Sequence, residues 1–113
     1  MSAERVPPLG ALRDRVLLQR KEQAVTPDGG VTALFMPIAS IWARVRGLTS
    51  RLGESADARV AIATHSVVIR FRLDVRPGDR LVFRGRALEV VAAADLNGRR
   101  AYLSCSCREV AGA

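Results

Sequence analysis

The sequence is short of the residues from which small catalytic and metal sites are built. Across 113 residues there is one histidine, His65, and there are two cysteines, Cys105 and Cys107, in a Cys-Ser-Cys triplet. A structural zinc site takes about four ligands, usually from two cysteine or histidine pairs, so this inventory excludes the common zinc folds and no cofactor is expected. His65, Asp74 and any serine make a triad on paper, but a triad is recognised by geometry and not by inventory. No Gly-x-x-x-x-Gly-Lys, Gly-x-Gly-x-x-Gly or Gly-x-Ser-x-Gly occurs. The acids are scattered and mostly sit beside arginines, which is not the paired-carboxylate pattern of glycosidases. An enzyme is therefore the class least expected. No apolar run approaches the ~18–20 residues of a membrane span, so no membrane partner is expected. The first residues lack an apolar signal region, and folding in a cytoplasm is the expectation.

Aromatic residues are also few: three Phe, one Trp and one Tyr. Single-strand nucleic-acid binders pair basic grooves with stacked aromatics. Phe71 and Phe83 fall on expected inner faces, which leaves Trp42 and Tyr102 as the candidates for stacking. Lysine is nearly absent as well. Lys21 is the only one among 18 basic side chains, so 17 are arginines, and the formal net charge is +7. Guanidinium groups bind carboxylate and phosphate in a bidentate fork and suit interfaces. Nucleic acid, anionic surfaces and acidic proteins are the partners such a balance invites.

What is present is strand grammar. Val67, Ile69, Phe71, Leu73 and Val75 alternate with Val68, Arg70, Arg72, Asp74 and Arg76, so a half-buried strand is predicted over His65–Arg76. Pro77-Gly78-Asp79 is a turn, Leu81–Phe83 a strand, and Arg84-Gly85-Arg86 a tight hairpin turn. Strands over Ala87–Ala94 and Arg100–Arg108 follow, joined by a segment containing Asn97-Gly98. In the first half, Arg13–Gln23 and Val31–Val45 read as strands around the turn Thr26–Gly30, with Pro37 breaking the ladder or marking an edge.

Residues Thr49–Thr64 show no period-two pattern and read as one short helix capped by Ser55, or as a long loop. The expected fold is mainly β, a small six-stranded barrel or sandwich in a single domain over 1–113. Residues 1–9 are expected to form a flexible arm and 109–113 a flexible tail. The expected core is Val16, Leu18, Val67, Ile69, Phe71, Leu73, Leu81, Phe83, Leu88, Val90, Leu103 and Cys105. The two thiols at i and i+2 share a strand face and pack as small apolar groups.

The order of these segments resembles the head–tail joining proteins of tailed bacteriophages, the head-closure or stopper proteins. The resemblance rests on Leu12-Arg13-Asp14-Arg15-Val16-Leu17-Leu18-Gln19-Arg20, then Asp28-Gly29-Gly30, then Ile41-Trp42-Ala43-Arg44-Val45. It continues through Val68-Ile69-Arg70-Phe71-Arg72, the Pro77–Val90 stretch and Arg100-Ala101-Tyr102-Leu103. Leu88 stands where the family often has an aromatic.

The resemblance implies a structural, non-catalytic virion protein of a phage or gene transfer agent, assembled in the bacterial cytoplasm. It implies a ring of six or twelve copies, a heterologous assembly in which one patch meets a different one on the neighbour. A portal or adaptor protein lies above such a ring, a tail terminator or tail tube protein below, and double-stranded DNA passes through its channel. Candidate interface residues are Arg44, Arg46, Arg70, Arg72, Arg84 and Arg86, each on the outward register of a strand or at a hairpin. A candidate channel-gating segment comprises Gly53, Glu54, Ser55, Asp57 and Arg59. The alternative is a monomeric nucleic-acid-binding β-barrel.

Overall fold

Alternating apolar residues in six segments pair into a single antiparallel sheet that closes on itself. The computed structural model describes residues 9–48 and 62–110. A 3₁₀ turn at Leu9–Ala11 precedes β1 (Asp14–Val25), β2 (Val31–Gly47), β3 (His65–Arg70), β4 (Arg80–Phe83), β5 (Arg86–Asp95) and β6 (Tyr102–Val110). The strand order is β1-β2-β3-β6-β5-β4, and β4 pairs back onto β1 to close the barrel. Closure removes the open edges of the sheet wherever the strands overlap.

The interior follows the period-two pattern. Val16 and Leu18 of β1, Ala43 of β2, Val67 and Ile69 of β3 and Leu81 of β4 are buried together. Leu88 and Val90 of β5 join them, with Leu103, Cys105 and Cys107 of β6. Phe71 and Phe83, expected inside, are partly buried and pack against this cluster from its margin.

Leu73 departs from the expectation. It is 78% exposed, because β3 stops at Arg70 and not at Arg76. The cause is the partner strand. Arg70 pairs with Tyr102, the first residue of β6, and one further backbone bond from Phe71 N–H to the Ala101 carbonyl ends the ladder. Beyond it the chain turns. The Arg72 guanidinium grips both oxygens of Asp74 at 2.8 and 2.9 Å, and the Asp79 carboxylate accepts the Arg76 N–H.

Val68 departs in the other direction. It lies on the outward register yet is buried, beneath a second small cluster of Leu12 and Leu96 flanked by Tyr102. At the other end of the chain, β6 runs on through Glu109 and Val110, which the sequence assigns to a tail.

β1 and β2 are much longer than their other partners. β4 pairs with β1 only at Leu17–Gln19, and β3 pairs with β2 only from Ala43 to Gly47. The rest of β1 and the first half of β2 therefore form a two-stranded hairpin that leaves the barrel. Its turn is held by Thr26 N–H to the Gly30 carbonyl and Gly29 N–H to the Thr26 carbonyl, with Gly29 in the left-handed region. Pro37 does not end β2. The register shifts beside it, so that Ile38 becomes the extra residue of a bulge between Leu18↔Ala39 and Gln19↔Pro37.

Candidate interaction surface

The six arginines singled out from the sequence do not form one patch. Arg44 and Arg46 lie on the outer face of β2, opposite Val68 and Ser66, and Arg70 lies on the same outer face of β3. Neither the Arg46 nor the Arg70 side chain makes a hydrogen bond or ion pair with another described residue. The Nε of Arg44 is buried without a hydrogen-bond partner among the described residues.

Arg72 is held by Asp74, within the chain. Arg86 is on the face shared with Leu88, not the outer face, and forks onto Glu109 at 2.6 and 2.8 Å near one end of the barrel. These pairs raise the affinity of both guanidinium groups for their protons and hold the Asp74 and Glu109 carboxyls below the usual carboxylate range. Arg84 sits in the β4–β5 turn with φ 52° and lies over the Phe83 ring at 5.0 Å. The six positions thus divide into an outward group on β2 and β3 and a group engaged within its own chain or turn. Gly53, Glu54, Ser55, Asp57 and Arg59 lie outside the described residues.

The feature that sequence reading missed is built around Trp42. Ala43 faces the core, so Trp42 faces out, and 52% of it is exposed. β1 brings Arg15 directly opposite, and its guanidinium lies 4.3 Å from the ring centroid. One face of the indole is therefore occupied by a cation.

Two grooves flank this residue. One, of about 490 Å³, is lined by Leu12, Arg13, Trp42 and Arg70. The other, of about 290 Å³, is lined by Ser40, Ile41, Trp42, Arg70 and Arg72. Arg70 belongs to both. The result is an apolar floor with guanidinium groups on its rim. The pairing of Arg15 with Trp42 depends on strand register across the hairpin, which the sequence does not display. Tyr102, the other candidate for stacking, packs against the second cluster.

The remaining titratable groups do not converge on a catalytic arrangement. His65 Nδ1 shares a hydrogen bond with Thr64 Oγ1 at 2.8 Å, while the Asp74 oxygens are held by Arg72. Burial pushes the Cys105 thiol up to about 12, and burial beside Cys105 pushes Cys107 higher still. Among the described residues no group of three or more His, Cys, Asp or Glu could hold a metal ion. No helix among them is long and apolar enough to cross a membrane.

A small closed barrel that carries outward arginines and an apolar groove on its outer wall defines a module built for surface contact. The chain belongs to the phage head completion protein family, whose sequence profile matches residues 7–110. Among solved structures it is similar to protein SF1141 from Shigella flexneri 2a, at 28% identity and a TM-score of 0.73, over 93% of this chain and 98% of that one. It is also similar to a chain in the virion of a native gene transfer agent particle, at 25% identity and a TM-score of 0.62, over 88% of this chain and 96% of that one. No curated protein matches the chain. Membership makes the protein a structural, non-enzymatic component of the virion of a phage or phage-like particle.

Proposed function

We propose that the protein is a ring subunit of the head–tail connector. In this reading it closes the DNA-filled capsid below the portal or adaptor and offers the tail a docking surface, with a tail terminator or tail tube protein beneath it. The observation that carries the reading is the family match over nearly the whole barrel, together with a virion chain among the similar structures. The architecture supports it. A ring of six or twelve copies needs two complementary surfaces on each subunit, and outward arginines on one wall with a long hairpin elsewhere supply distinct ones. Residues 49–64 join β2 to β3, and we assign to Gly53, Glu54, Ser55, Asp57 and Arg59 the role of reaching the channel and retaining DNA before the tail docks.

The monomeric nucleic-acid-binding alternative finds less support. Trp42 already has a guanidinium on one face, and Tyr102 is turned into a cluster. The test is negative-stain imaging of particles made with and without this chain. Loss of the chain is expected to yield filled heads that shed DNA and lack tails. Normal tailed particles in its absence overturn the connector role.

A further inference from the structure

The hairpin and the Trp42 grooves are the two surface features that the barrel itself leaves unused. The hairpin carries apolar side chains in water on both faces. Val25 and Val31, directly opposite one another beside the turn, are 78% and 66% exposed, and Leu34, Met36 and Ile38 are also exposed. An apolar two-stranded ribbon whose edges are unpaired among the described residues is a surface that proteins either blunt or bury against a partner. The blunting devices, Lys21, Pro37 and the bulge at Ile38, all lie away from the tip. On the face shared by Val25, Val31, Ala33 and Phe35, β1 and β2 themselves place one charge, Lys21, and the Arg80 guanidinium of β4 covers the Phe35 ring at 3.7 Å, which leaves the end beside the turn uncharged.

At its tip stands Asp28. One of its oxygens accepts the Thr26 hydroxyl and the Gly30 N–H, which holds the carboxyl below its ordinary range. The tip is thus an apolar knob with an ionised carboxylate. The grooves present the opposite: an apolar floor of Leu12, Ile41 and Trp42, rimmed by Arg13 and Arg70, of which Arg70 has no acidic partner among the described residues.

A chain cannot seat its own tip there. Eleven residues of extended β2 separate Val31 from Trp42, which at ~3.3 Å per residue places the tip roughly 35 Å away along the strand. The tip and the groove are therefore separate patches on one molecule. That is the arrangement a heterologous contact requires.

We propose that the β1–β2 hairpin of one copy docks, tip first, into the Trp42 groove of a second copy, with Val25 and Val31 on the indole and Asp28 at Arg70. The proposal rests on the ring reading above and supplies its subunit contact.

Trp42 is the only tryptophan in the chain, so its fluorescence reports on the groove directly. The purified full-length chain is followed over a concentration series by sedimentation velocity and by Trp42 emission with acrylamide quenching. Association accompanied by a blue shift and protection from acrylamide is expected, and both are lost in Val31→Asp and in Arg70→Glu.

The decisive arm is a mixture of Val31→Asp, which keeps the groove and its tryptophan, with Trp42→Phe, which keeps the hairpin but is silent. The mixture is expected to recover the blue shift that neither variant shows alone. Melting curves of the three variants matching the parent show that the barrel is intact, and a variant that melts early is replaced by Val31→Ser or Arg70→Gln.

Association without any change in Trp42 emission overturns the docking while leaving the ring reading in place. A dilute monomer whose Trp42 is already protected overturns it as well, because the groove is then filled from within the chain. A chain that stays monomeric at every concentration overturns self-docking. The connector role, read separately in particles, is untouched by that result.

Discussion

At the scale of single residues, the barrel separates positions that look alike in the sequence. Leu18 and Leu73 both sit in apolar registers, but Leu18 is fully buried and Leu73 stands in solvent. Truncating Leu18 to Ala removes packed methyl groups and leaves a cavity, so a loss of about 2–5 kcal/mol is expected. Leu73→Ala is expected to change stability by less than about 0.5 kcal/mol. Urea denaturation of the two variants checks both.

Asp74 gives a pH-dependent contrast. The Arg72 guanidinium holds its carboxyl below the ordinary range, so the unfolded chain takes up this proton at a higher pH than the folded one. The contribution is complete above the unfolded carboxylate range and is lost as pH falls through that range toward the folded value. Asp74→Asn is therefore expected to flatten the fall in melting temperature on acidification below about pH 5. An unchanged acid slope would show that the fork contributes nothing.

Between residues and the molecule lie the strands and their turns. The β4–β5 connection places Arg84 at φ 52° and Gly85 at φ 79°, the pair of positive values that a two-residue type I′ turn demands. Gly85→Ala puts a Cβ where L-residues are strained and is expected to cost about 1–2 kcal/mol by thermal melting, although nothing crowds the added carbon.

The strands themselves were largely legible, because alternation identifies a half-buried strand wherever a partner exists. It overshot at Phe71–Arg76 because the pattern continues after β6 has ended, and partner length is not written in the alternation. It missed Val68 because the residues that cover it, Leu12 and Leu96, come from distant turns. Outward placement was readable for Arg44, Arg46 and Arg70. Arg86 does stand at the hairpin, paired with Phe83, but its place on the face of Leu88 was hidden by reading it as part of the turn. The Trp42 groove could not be read at all, since it depends on which β1 residue lands opposite the indole.

For the molecule as a whole, the number of arginines overstates the basic surface. Among the described residues four arginines are neutralised internally: Arg20 by Asp79, Arg72 by Asp74, Arg86 by Glu109 and Arg108 by Glu89. Binding to duplex DNA by the isolated chain is therefore expected to be weak and to fall with salt more gently than 17 arginines suggest, since the slope counts the phosphates neutralised. Fluorescence anisotropy between 50 and 200 mM salt, about the range over which such slopes are read, checks this. A steep slope with tight affinity would favour the nucleic-acid-binding alternative.

The strand order carries one more consequence. β6, the last of the six strands in order, is inserted between β3 and β5 and among the described residues is the strand that joins them. A nascent or prematurely terminated polypeptide ending before Tyr102 would hold two unzipped borders, each lined on one side by Val67 and Ile69 or by Leu88 and Val90. Such fragments are sticky and short-lived. β6 is a keystone: the barrel shuts only once Tyr102–Val110 has been made, so a copy truncated before it is expected to fail to fold and to drop out of particle assembly.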